Sequence, residues 1–211
     1  MPVSAGAILG IAAVAIGLVL TPGPNMIYLV SRSITQGGRA GLISLVGVAT
    51  GFLVYLAAAT AGLTTIFTAV PAAYDVLRIG GALYLLYLAW QALRPGGATP
   101  FEPKTLAIDS RRRLFTMGFV TNLLNPKIAV LYVSLLPQFV DPGRGDVALQ
   151  SFVLGATQIV IAVTVNAMIV LAAGRIARFL ATRPRWARGQ RVLMGGVLGA
   201  LAVRLAVQPG S

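Results

Sequence analysis

The sequence predicts an all-α, polytopic membrane protein of six transmembrane helices, built as two inverted three-helix repeats whose first and fourth helices are broken. Three observations carry this expectation: six long apolar stretches joined by short connections, a strong bias of Lys and Arg toward alternate connections, and proline breaks at corresponding places in the two halves. Of the 211 residues, 57% are hydrophobic and 10% charged, too little polar surface to cover a water-soluble exterior. The length suits six spans plus connections, so residues 1–211 are expected to form a single membrane domain.

Repeat one, 3–93, opens with the apolar run Val3 to Val30. Met1 to Leu20 holds no Lys or Arg, and Pro22 and Pro24 crowd any cleavage point, so this stretch is expected to stay as a span. Leu42 to Val70 and Ala72 to Leu93 supply the second and third helices. A polar cytoplasmic connection follows over 94–113, with Gly96, Gly97, Pro100 and Pro103 among Glu102, Lys104 and Asp109. Repeat two, 114–207, then supplies Leu114 to Val140, Val147 to Ala173 and Val192 to Val207.

The first, third and fifth connections carry Arg32, Arg39, Arg94, Lys104, Arg111 to Arg113, and the six arginines from Arg175 to Arg191. Their counterparts carry only Arg78, Arg144 and Arg204. The positive-inside rule therefore places both termini outside. The net charge of +12 is read as this topology signal rather than as a nucleic-acid footprint, because the basic residues flank apolar spans. With no Cys and no His, disulfide chemistry and the usual zinc sites are excluded, and no metal or cofactor is called for.

The breaks are Thr21-Pro22-Gly23-Pro24-Asn25 and Asn125-Pro126-Lys127. Proline lacks a backbone donor, so carbonyls before each break and amides after it lose their helical partners and need others inside a bilayer. Asn25 is expected to cap the restarted first helix, and Lys127 to add a full charge to the positive end of a helix beginning at Ile128. An ammonium within an apolar span is costly and calls for a reason. If the breaks meet, Lys127, Asn125, Asn25, Asn122 and Thr21 would line a polar pocket that holds a carboxylate such as that of an amino acid. The bland alternative makes Pro22, Gly23, Pro24 and Pro126 mere kinks and lets Lys127 reach an interface.

Other polar positions are weaker candidates. Gln158 and Asn166 are eight residues apart, hence on one helical face, and could line a pathway or simply bond neighbouring helices. Pro137 and Gln138 could serve an outer gate or just end the fourth span. Asp75 and Arg78 read as a surface ion pair, and Tyr84, Tyr87, Trp90 and Trp186 as interfacial anchors. Four GxxxG pairs, at Gly6, Gly37, Gly47 and Gly195, suit close helix packing within the chain or pairing of two copies as a homodimer.

Taken with GALYLLYLAWQALR at 81–94 and NLLNPKIAVLYVSLLPQFV at 122–140, the TPGPN break makes the chain resemble the LysE/RhtB family of amino-acid exporters over essentially its whole length. The resemblance implies a small bacterial inner-membrane protein that exports amino acids by secondary active transport drawing on the proton motive force. It implies no enzyme activity, and its partners would be the amino acid and the lipid bilayer. One departure stands out. Many relatives have Asp after the glycine matching Gly51, where this chain has Phe52, so a carboxylate for protons or a substrate ammonium is missing. Export of another small solute or cation, and a non-transporting membrane subunit, remain open as alternatives.

Overall fold

In a computed structural model, residues 2–62, 108–181 and 184–207 are described, with scattered positions between 79 and 94. Among the described residues the chain is entirely helical. In order, the helices are α1 (Ala5–Leu20), α2 (Pro24–Gln36), α3 (Gly38–Ala61), α4 (Arg111–Leu123), α5 (Pro126–Phe139), α6 (Val147–Ala181) and α7 (Pro184–Val207).

Two of them, α3 and the Val147–Ile176 part of α6, are each long and apolar enough to cross a bilayer. The pairs α1–α2 and α4–α5 also qualify, if each is one bent span. At 1.5 Å per residue a 24-residue α3 reaches about 36 Å, enough for a hydrocarbon core of roughly 30 Å. The expected third span falls largely outside the described residues, as do Asp75, Arg78, Tyr84, Glu102, Lys104 and the side chain of Trp186. Helical backbone is nevertheless present at Ala82, Leu83, Ala89 and Trp90.

Both expected breaks are present. The α1–α2 pair bends by 53° across 21–23, and α4–α5 bends by 47° across 124–125. The details depart from expectation in two places. Gly23, not Asn25, caps α2, because Pro24 sits comfortably in the first turn where no amide is needed. Helix α5 starts at Pro126 rather than Ile128 for the same reason, with Asn125 as its cap and Asn125 Oδ1 accepting the Lys127 amide at 3.0 Å. Beyond Val130, α5 widens into a π turn over Leu131–Leu135 and tightens into a 3₁₀ turn over Leu136–Phe139. Single π turns recur at functional sites.

Glycines set the tightest contact, between α3 and α4. A Cβ on Gly47 would run into the Phe115 carbonyl, and one on Gly118 into the Ser44 carbonyl, so the two backbones touch directly. One turn further along, Gly51 lies against the Asn122 side chain, 2.7 Å from where its Cβ would sit to Oδ1. Of the other GxxxG pairs, Gly10 makes room for the Phe139 ring, Gly41 for Ser33 and Val170, and Gly195 for Leu93, whereas Gly37 is a turn residue with φ of 86°. An apolar core of Ile11, Leu18, Val48, Phe52, Leu131 and Leu154 holds α1, α3, α5 and α6 around the two breaks.

Candidate functional site

The first break removes amide donors that a continuous helix would supply, and the Leu18 carbonyl accepts instead from the Thr21 amide at 3.2 Å. In an unbroken helix the Leu18 carbonyl would accept from the amide of residue 22, and the Leu20 carbonyl from residue 24, but both positions are proline. The second break solves its own problem. Asn125 satisfies the Lys127 amide with its side chain, and its carbonyl accepts from Ile128 at 3.0 Å and Ala129 at 3.1 Å. Asn122 and Tyr55 satisfy further backbone groups there, the Asn122 carbonyl accepting from the Asn125 amide at 3.0 Å and the Tyr55 hydroxyl donating to the Leu123 carbonyl at 2.9 Å.

Lys127 joins the two. Its ammonium donates to the Leu18 carbonyl at 2.8 Å and to the Thr21 carbonyl at 2.9 Å, with the side chain 5% exposed. It therefore sits at the negative end of the α1 dipole, instead of adding to a positive helix end, where the carbonyls of the last turn of α1 accept from it. Gly23 allows this approach, since its Cβ would lie 3.0 Å from Nζ. An ammonium has three donors, and these contacts use two of them.

Around Lys127 is a cavity of about 20 Å³, the scale of a single water. Its polar lining is Lys127, Asn25, Gln158 and Asn166, drawn from α2, α5 and α6. Ala15, Leu18, Val19, Met26, Phe52, Ile128, Leu131 and Ala162 complete it with apolar wall. Gln158 and Asn166 thus share the face that their spacing implied. Asn166 Nδ2 donates to the Ala162 carbonyl at 2.8 Å, and Gln158 Oε1 accepts from the Tyr132 hydroxyl at 2.8 Å. The Oδ1 of Asn25 has no hydrogen-bond partner within the protein, and neither do both polar atoms of Asn122 and the Nδ2 of Asn125. Such orphaned buried atoms are costly and call for a ligand, an ion or water.

The other expected residues take lesser places. Thr21 contributes its carbonyl, while its hydroxyl donates to the Gly17 carbonyl at 2.7 Å. Asn122 and Asn125 are buried at the second break but do not line the cavity. Pro137 and Gln138 lie in the 3₁₀ turn, with Gln138 Nε2 on the Ser134 carbonyl at 2.8 Å, and are not part of the cavity either. Sequence reasoning missed Tyr132 and Tyr55, whose rings stack at 5.4 Å between the second break and Gln158. A hydroxyl five residues after Lys127 in an apolar run was the available signal. Among the described residues no group of three or more His, Cys, Asp or Glu side chains is placed to hold a metal ion.

Comparison with known proteins bears on this arrangement. The family model for LysE type translocators matches residues 16–209. The leucine efflux protein of Salmonella typhimurium (strain LT2) is 27% identical over 192 residues, 91% of each chain. The homoserine/homoserine lactone efflux protein of the same strain is 36% identical over 164 residues, 77% of this chain and 78% of the relative. No solved structure matches the chain. With its broken helices and buried lysine inside the matched region, this chain belongs to the LysE type translocator family.

Proposed function

We propose that the chain is a secondary active exporter of amino acids in the bacterial inner membrane. It would work by alternating access around Lys127 and be coupled to the proton motive force. The observation that carries this reading is the Lys127 ammonium, held at the junction of two broken helices and facing a cavity of apolar wall with three amide side chains. The remaining ammonium donor suits a substrate carboxylate, and Asn25 Oδ1 suits a substrate ammonium. Two inverted repeats of three helices, with both termini outside, are the topology this reading adopts.

The cavity wall narrows the substrate class. Its only ionisable member is cationic and Phe52 fills a wall position, so neutral amino acids with aliphatic side chains fit and cationic ones do not. The efflux relatives named for leucine and for homoserine agree with a neutral cargo. A volume near 20 Å³ is too small for any amino acid, so carrying one would require the cavity to widen, for which the two breaks offer hinges.

The test is efflux from proteoliposomes preloaded with single labelled amino acids, with and without an imposed pH gradient. Saturable release of neutral aliphatic amino acids, faster with the gradient, is the expected result. No flux of any amino acid from well-inserted protein would overturn the reading.

A further inference from the structure

Away from the Lys127 cavity, on the side that the basic connections mark as cytoplasmic, a second charged cluster ties α2 to the start of α4. Asp109 forms ion pairs with Arg32 and, at 3.0 Å, with Arg113 Nε. Its Oδ2 also accepts from Gln36 Nε2 at 3.3 Å, while its own amide donates to Gln36 Oε1 at 3.0 Å. The side chain is 5% exposed, and no other carboxylate among the described residues is buried. Its partner Arg32 lies over the Tyr28 ring at 5.5 Å and keeps a buried Nε with no hydrogen-bond partner.

In front of Asp109 opens a vestibule of about 450 Å³, within the roughly 300–1,000 Å³ of small-molecule sites. Asp109, Gln36 and Thr35 line it, with the exposed Arg39 and Arg111 and the apolar Ile43. Arg32 is not part of that lining, whereas its ion-pair partner Asp109 is. Two cations at the opening draw anions inward. Arg32 also stands two helical turns from Asn25 on the same face of α2, about 10 Å along the axis.

We propose that Arg32 is a second carboxylate site for the exported amino acid, a cytoplasmic staging site that Asp109 fills as an internal stand-in until the substrate displaces it. This rests on the reading that the cargo is an amino acid. Exchange of one carboxylate for another keeps Arg32 paired throughout, so the swap avoids leaving a buried guanidinium bare. It adds the Arg32 Nε donor for a bidentate grip. Once released from Arg32, Asp109 keeps its pair with Arg113, and one ionic tie between α2 and the start of α4 is lost.

The test is the KM for a neutral amino acid, measured separately from the cytoplasmic and outer faces of oriented proteoliposomes, with labelled substrate. Asp109→Asn removes the competitor and should lower the cytoplasmic KM about tenfold, the effect of one charge-assisted contact. Arg32→Gln should raise it about tenfold by the same measure. The KM from the outer face should change in neither. Because Arg32→Gln alone leaves Asp109 with fewer partners, the double variant Arg32→Gln/Asp109→Asn guards against misfolding and should keep the raised cytoplasmic KM. A purely structural ion pair would shift both single variants in the same direction, and that result overturns the inference. Absence of saturable amino-acid flux in the unmodified protein would instead sink the proposed function, so the two failures are distinguishable.

Discussion

The Lys127 ammonium lies 2.8 Å from the carbonyl of Leu18, a residue 109 positions earlier in the chain. A cation from the second half thus adds a donor to a carbonyl at the first-half break that otherwise holds only the Thr21 amide at 3.2 Å, and the two interruptions become one structural unit.

Replacing that lysine separates its two jobs. Lys127→Ala should abolish efflux while the protein still inserts and purifies, with a stability loss of about 1 kcal/mol, since hydrogen bonds between membrane helices average about 0.6 kcal/mol each. Transport assays paired with thermal unfolding in detergent report both. Efflux at the unmodified rate would remove Lys127 from the site.

Phe52 is 2% exposed and forms part of the wall near Lys127. Phe52→Asp should cut export of neutral aliphatic amino acids at least tenfold, because the new carboxylate competes with the substrate's own for the ammonium. The Asp–Lys127 pair should keep the variant folded. Competition assays with leucine-like and lysine-like substrates would show whether any cationic amino acid gains entry in exchange.

The packing of α3 on α4 yields a stability prediction with an internal control. Gly118→Leu forces a side chain onto the Ser44 carbonyl and should destabilise by about 3 kcal/mol or more, beyond ordinary overpacking because backbone blocks it. Gly199→Ala meets nothing within 4 Å and should leave expression and melting temperature unchanged.

Tyr132 and Gln158 should act as a pair. Tyr132→Phe and Gln158→Leu each remove the same 2.8 Å hydrogen bond, so a double-mutant cycle on unfolding should show a coupling of about 0.6 kcal/mol and no more than about 1.7 kcal/mol. Gln158→Leu, which also changes the cavity lining, should reduce efflux more than Tyr132→Phe does.

Much of the site was legible because its signals are local. Pro22, Pro24 and Pro126 announce broken helices by what they lack, and an eight-residue spacing was enough to place Gln158 and Asn166 together. The residues that were misjudged depend on long-range geometry. Asn25 was expected to cap α2, yet Pro24 fits the first turn and pushes the cap back to Gly23. Lys127 was expected to serve a positive helix end, whereas the acceptors it found lie across the fold. Arg32 and Asp109 read as topology and linker residues, since nothing in a sequence says that an exposed-looking loop carboxylate will be buried against a helix 77 positions away. Of the six expected spans, up to four are matched among the described residues, by α1–α2, α3, α4–α5 and α6.

The glycine seam along α3 and α4 limits how such a molecule can change shape. These helices come from opposite halves of the chain, and where main chain rests on main chain there is no cushion of side chains to shear. In the proposed exporter they would act as a fixed keel, and opening toward either face would fall to the hinged arms α1–α2 and α5 bending about their proline joints, not to one half swinging whole against the other.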